Sequence, residues 1–176
     1  MRAVLDACVL YPTIQREILL SAAARGDFEP IWSARLLEEW RRAAARAGAA
    51  VEAQARVEIA LVEARFPAAN QLTPPRDDLW LPDLDDIHVL ATALESKANL
   101  IVTRNLKDFP PRVLAGHQLT AQSADSFLLE LHLERSLAVE VEAVRAEAER
   151  LSGEDQPLRP LLKRAGLPRL AKALAG

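Results

Sequence analysis

The chain has 176 residues, a length that suits one domain with a short appendage. Half of the residues are hydrophobic, enough to build a core, and 22 Lys and Arg against 25 Asp and Glu leave a net charge of −3. That balance excludes a protein that holds nucleic acid through bulk positive charge. The single cysteine, Cys8, excludes an intrachain disulfide and a cysteine-based zinc cage.

In chain order, Ala3 to Leu10 is an apolar run broken by one acid, which predicts a buried strand carrying Asp6 at its carboxyl end. Tyr11-Pro12 opens a helix to about Arg25. Phe28 to Trp32 predicts a second strand, and Ser33 can cap a helix to about Ala47 with Leu36, Leu37 and Trp40 on its apolar side. Gly48 stops that helix, and another follows from about Ala50 to Arg65. Residues 66 to 81 hold three prolines and read as a connector. Leu84 to Ala98 predicts a helix that Asp83 or Asp85 can cap, and Leu100 to Thr103 predicts a buried strand. A short helix ending at Gly116, a small strand at Gln118-Leu119 and a helix from Ser123 to about Leu133 complete the first part. Leu137, Val141, Val144, Ala148 and Leu151 form a helical stripe flanked by glutamates. The tail then reverses sign, with Arg159, Lys163, Arg164, Arg169 and Lys172 against Glu154 and Asp155, and it is able to guide RNA or an acidic partner. Its Leu161, Leu162, Leu167 and Leu170 are available to pack the tail down.

The alternation of strands and helices predicts an α/β fold with a parallel sheet covered on both faces. Ligands in such folds sit at the carboxyl ends of the strands, where Asp6 and Thr103-Arg104-Asn105 would lie. Acidic residues stand at several element ends: Asp6, Glu39, the group Asp83, Asp85 and Asp86, and Asp108. Each has an ordinary reading as a solvated charge or a helix cap, Asp6 least of all, because a carboxylate buried without a partner costs several kcal/mol. Two carboxylates about 4 Å apart repel by roughly 4 kcal/mol at an effective dielectric near 20, so a converging set calls for a cation. Oxygen ligands favour Mg²⁺ or Mn²⁺ over zinc.

Four segments together resemble the PIN domain, and within it the VapC-like branch of toxin ribonucleases. They are Val4-Leu5-Asp6, Ser33 to Trp40, Leu81 to Ala93 and Ile101 to Pro110. The resemblance covers about residues 2 to 130. It implies a three-layer sandwich around a mainly parallel sheet, with residues 1–133 as the nuclease domain and 134–176 as a helical extension. It further implies a metal-dependent endoribonuclease leaving 5′-phosphate and 3′-hydroxyl ends. The first family acid falls on Asp6, the helix acid on Glu39 with Glu38 as the register alternative, and the third on Asp86. Asn105 stands where many members carry Asp, and Asp108 is the acid nearby. The implied ligands of Mg²⁺ or Mn²⁺ are Asp6, Glu39, Asp86 and Asp108, with Asn105 beside them. Cys8 stands where the family usually has Asn, which implies the loss of a small polar contact.

The same resemblance implies an RNA substrate, a small antitoxin protein that blocks the site, and a homodimer. A haloacid dehalogenase-type phosphatase would need a second Asp where Cys8 stands. The non-enzyme alternative is a degenerate PIN-like module that binds RNA or protein without cutting. His88 is read as structural or on the surface rather than catalytic, and Cys8 as a packed side chain rather than a nucleophile. No apolar run reaches membrane-spanning length, and Asp6 and Arg16 interrupt the N-terminal apolar stretch, so the cytoplasm is the expected compartment.

Overall fold

The structure, a computed structural model, describes residues 1–174. In chain order the elements are β1 (Arg2–Leu5), α1 (Ala7–Leu10), α2 (Thr13–Ala24), β2 (Glu29–Ile31), α3 (Ala34–Ala47), α4 (Ala49–Arg65) and α5 (Ile87–Glu95). They continue with β3 (Leu100–Val102), α6 (Pro111–Ala115), β4 (Thr120–Gln122), α7 (Ala124–Glu134), α8 (Ala138–Ser152), α9 (Leu158–Arg164) and α10 (Pro168–Ala173). These elements gather into two compact units. The first takes Met1–Tyr11 and Phe28–Gln122; the second takes Pro12–Asp27 and the chain from Ser123 onward. Compactness therefore divides the chain differently from the expected 1–133 and 134–176, because α2 groups with the C-terminal helices.

The first unit is built on a four-stranded parallel sheet in the order β2-β1-β3-β4. Val4 sits opposite Ile31 on one side and Ile101 on the other. The two central strands are almost wholly buried, as expected where a parallel sheet is covered. Helix α5 packs on β1 and β3, while α3 forms a hairpin with α4 and also meets α1. Leu36, Leu37, Trp40 and Ala44 make the buried stripe of α3, and the Ser33 side chain accepts from Leu36 N at 3.4 Å to cap it. The connector after α4 is fixed to the edge of β2: Trp32 N donates to Ala69 O and Gln71 N to Trp32 O. Trp32 also meets Phe66 edge to face, with centroids 6.1 Å apart.

Three local expectations shift. The first strand ends at Leu5, and Ala7–Leu10 forms a helical turn with Asp6 at its N-cap. A continuous apolar run does not by itself distinguish a buried strand from a buried turn of helix. The small strand begins at Thr120, because Gln118 takes φ 58, a left-handed turn conformation that no strand accommodates. The helix expected from Leu84 opens with a 3-10 turn, Leu84–Asp86, and α5 itself ends at Glu95, two residues before left-handed Lys97.

In the second unit α2 packs against α7 and α8, and α10 packs against α7 and α9. The expected leucines of the tail, Leu161, Leu162, Leu167 and Leu170, are buried. Asp125, in the first turn of α7, is also buried and caps α10 from outside that helix. Its Oδ1 accepts from Arg169 N at 3.1 Å and Leu170 N at 3.0 Å, and its Oδ2 accepts from Arg169 N at 3.0 Å. A carboxylate at free helix N–H groups is favoured by both hydrogen bonding and the helix dipole. No helix among the described residues is long and apolar enough to cross a membrane.

Asp125→Ala leaves the buried Leu170 N–H without its acceptor. It should destabilise the protein by about 2 kcal/mol, the scale of a hydrogen bond to a charged group. Urea denaturation measures the loss, and amide exchange should accelerate at Leu170 more than at Leu162.

Candidate active site

Strands β1 and β3 are parallel neighbours, so their carboxyl ends emerge side by side; Asp6 N donates to Val102 O at 3.1 Å. The chain turns away from both strands there, as is usual for ligand sites in parallel sheets. Asp6 is only 5% exposed, and the groups around it account for that burial. Its Oδ2 accepts from Thr103 Oγ1 at 2.6 Å and from Cys8 Sγ at 3.1 Å. Thr103 Oγ1 in turn accepts from Asn105 N at 3.0 Å, and Cys8 Sγ accepts from Arg104 N at 3.2 Å. One carboxylate oxygen thus organises the residues that follow both strands.

Cys8 therefore keeps a polar contact to the site where its replacement of the family Asn implied that one is lost. Burial, then the Asp6 charge, pushes its thiol up to about 12. It stays protonated at neutral pH, which suits a hydrogen-bond donor and argues against a nucleophile.

A cleft of about 590 Å³ is lined by Asp6, Glu39, Asp86 and Asn105, together with Cys8, Arg42, Arg46 and Arg104. Glu39 lines this cleft, whereas its neighbour Glu38 turns to Arg41 and Arg42, which hold its carboxyl down at about 2. Glu39 Oε1 lies 3.4 Å from Arg35 Nε and 2.8 Å from His88 Nε2. The His88 contact is close but out of line, so it is an electrostatic contact and not a hydrogen bond.

Asp108 reaches the site from another direction. It ends a 3-10 turn, Leu106–Asp108, and does not line the cleft. One oxygen each of Asp83, Asp86 and Asp108 lie within 4.8 Å of one another. Asp86 belongs to both groupings. Burial, and then the charges of Asp6, Asp83 and Asp108, raise its carboxyl to about 6, while His88 acts in the opposite sense. Its Oδ2 is buried and has no hydrogen-bond partner. Asp86 is thus the acid most starved of positive charge.

Three residues were given no role in the site from sequence, although Thr103 was placed at its end of the sheet. Thr103 stands fully buried at the end of an apolar strand, a position where a hydroxyl needs a partner, so a signal was present. Asp83 was read as a cap; it does accept from Asp85 N at 3.0 Å, and its carboxylate also faces Asp86 and Asp108. His88 gave no signal. It lies in the first turn of α5 and reaches Glu39 of α3.

The chain matches the PIN domain family over residues 2–107. Over 45 residues it is 49% identical to a protein named "Putative ribonuclease VapC50" from Mycobacterium tuberculosis (strain ATCC 25618 / H37Rv). That stretch is 26% of this chain and 27% of the relative, so the chain spans about a quarter of the relative's length. No solved structure matches the chain significantly. The family match covers more than half of the chain and takes in β1, β2 and β3 with Asp6, Glu39, Asp86 and Asn105, while Asp108 falls just beyond it. The chain belongs to the PIN domain family.

Proposed function

We propose that the protein is a metal-dependent endoribonuclease that cleaves RNA phosphodiester bonds, and that it serves in the cytoplasm as the toxin of a toxin–antitoxin pair. The observation that carries the reading is Asp86: a buried carboxylate oxygen without a partner, among three other acids, at the edge of an open cleft. The name of the M. tuberculosis relative points the same way. A small antitoxin that blocks the site and a homodimer belong to the same reading.

The donors fit a hard divalent cation. Asp6, Glu39, Asp86 and Asp108 offer oxygen alone, Asn105 offers an amide oxygen, and the one nearby thiol donates to Asp6. Such a set suits Mg²⁺ or Mn²⁺. When bound, the ion supplies Lewis-acid activation of water and offsets negative charge developing on the phosphodiester. The chain's own residues prepare the place. Thr103 and Cys8 hold Asp6 oriented, Arg35 and His88 hold Glu39 at the cleft wall, and the Thr103–Asn105 hydrogen bond fixes the loop after β3. Arg104 and Arg46 line the cleft as cations able to meet phosphates beside the one that is cut.

Incubation with a panel of structured RNAs in Mg²⁺ or Mn²⁺ should yield discrete fragments. Asp86→Asn should lower the cleavage rate by roughly 100-fold or more, on the scale of losing a key electrostatic group, and EDTA should abolish cleavage by the wild type. A wild type that cuts nothing, or a mutant that cuts equally well in EDTA, overturns the mechanism.

A second expectation concerns stability without metal. The Asp86 carboxyl is raised from 3.8 to about 6, so the stability it contributes is fully present below about 3.8 and is lost as pH rises through about 6. Asp86→Asn removes that penalty. In EDTA its Tm should match or exceed the wild-type Tm above pH 6, with the difference closing toward pH 4. Added Mn²⁺ should reverse the order at neutral pH by raising the wild-type Tm alone. Thermal scans across pH check both, and a mutant that is less stable than wild type at pH 7.5 in EDTA contradicts the assignment.

A further inference from the structure

The second unit separates its charges along the chain. Before residue 156 each of its arginines lies beside a carboxylate: Arg16 with Glu17, Arg25 with Asp27 and Glu140, Arg135 with Asp27, Arg145 with Glu142, and Arg150 with Glu147. From residue 156 onward the sequence has five cations and no acid. Arg159, Lys163, Arg164, Arg169 and Lys172 are all exposed, and among the described residues none of their side chains pairs with a carboxylate. Arg164 Nη2 donates to Gln156 Oε1 and Arg169 Nη1 to Ser126 Oγ, both neutral acceptors. The leucines of the same helices, Leu161, Leu162, Leu167 and Leu170, point inward and are buried. Helices α9 and α10 thus have an apolar inner side and a basic outer side.

Helix electrostatics does not account for this. Lys163, Arg164 and Lys172 stand in last turns, where the helix dipole favours cations, but Arg159 stands in a first turn, where it disfavours them, and Arg169 stands in a first turn whose N–H groups Asp125 caps. We propose that the exposed side of α9 and α10 is a binding surface for the phosphate backbone of RNA. This inference rests on the proposed ribonuclease reading for the identity of the polyanion. An acidic protein would meet the same charges, but a protein interface is centred on exposed apolar anchors. The large exposed hydrophobic side chains end with Leu151, before this segment begins. A surface made of charge alone fits a backbone of phosphates. The remainder of the chain, without these five cations, carries −8, so RNA has reason to prefer this segment over most of the surface.

The test reads binding without cleavage. Fluorescence anisotropy of a short mixed-sequence single-stranded RNA is followed across salt concentrations in EDTA. The wild type, Lys163→Gln, the triple variant Arg159→Gln/Lys163→Gln/Lys172→Gln, and Arg150→Gln are compared. The salt slope of log affinity should fall by about 0.7 for Lys163→Gln and by about 2 for the triple variant. Arg150→Gln makes the same charge change at an acid-paired site in the same unit and should leave the slope as in wild type. An unchanged slope in the triple variant, an equal drop in Arg150→Gln, or no RNA binding by the wild type overturns the proposal. So does a triple variant that keeps its RNA slope while losing affinity for polyglutamate, which would mark the surface as one for an acidic protein. Because neither metal nor cleavage enters the readout, a protein that binds RNA here but never cuts it overturns the ribonuclease reading alone.

Discussion

The hydrogen bond from Thr103 Oγ1 to Asp6 Oδ2, 2.6 Å long, joins the ends of two neighbouring parallel strands at the point where both must change direction. An ionised carboxylate in that place is expensive unless its lone pairs are used. The threonine hydroxyl and the cysteine thiol use one of its oxygens, and each of them passes a second hydrogen bond to the chain after β3. The loop carrying Arg104 and Asn105 is therefore placed relative to Asp6 by the same bonds that make the burial of Asp6 tolerable. Asp86 contrasts with it. Its buried oxygen is given no such donor, and its neighbours are acids. One acid is satisfied internally and the other is left to be satisfied from outside, and this division defines the site.

The parallel sheet was legible because Ala3-Val4-Leu5 and Leu100-Ile101-Val102 are short, apolar and alternate with helical patterns. Ser33 and Ser123 were legible as caps for a local reason, since the hydroxyl oxygen satisfies an N–H only three residues away. The helical turn after β1 was not, because apolar content continues from Leu5 through Ala7 to Leu10 while the backbone changes from strand to helix. For the site, the convergence of Asp6, Glu39, Asp86 and Asn105 on one cleft is a tertiary fact that spacing alone does not contain. The resemblance supplied it. What neither spacing nor resemblance supplied was the support: His88 beside Glu39, and Cys8 donating to Asp6. Those contacts depend on the relative rotation of α3 and α5 and on the turn that follows β1.

The net charge of −3 hides a strong internal contrast. The first unit collects acids at one sheet end, and the second unit ends in cations whose side chains, among the described residues, pair with no carboxylate. A protein can hold a polyanion and also keep an acidic site if the two tasks fall to different residues.

The second unit is assembled from two stretches of chain that are far apart in sequence. Helix α2 carries Ile18, Leu19 and Leu20, all fully buried, and its packing partners are α7 and α8, whose residues begin at Ala124. On the ribosome, α2 emerges about 100 residues ahead of α7 and α8, an interval of roughly 5–20 s at ordinary synthesis rates. Throughout that time its apolar side lacks the partners that α7 and α8 supply. Completion of this unit therefore waits for the synthesis of α7 and α8, and a chain cut short before them leaves α2 without its packing partners.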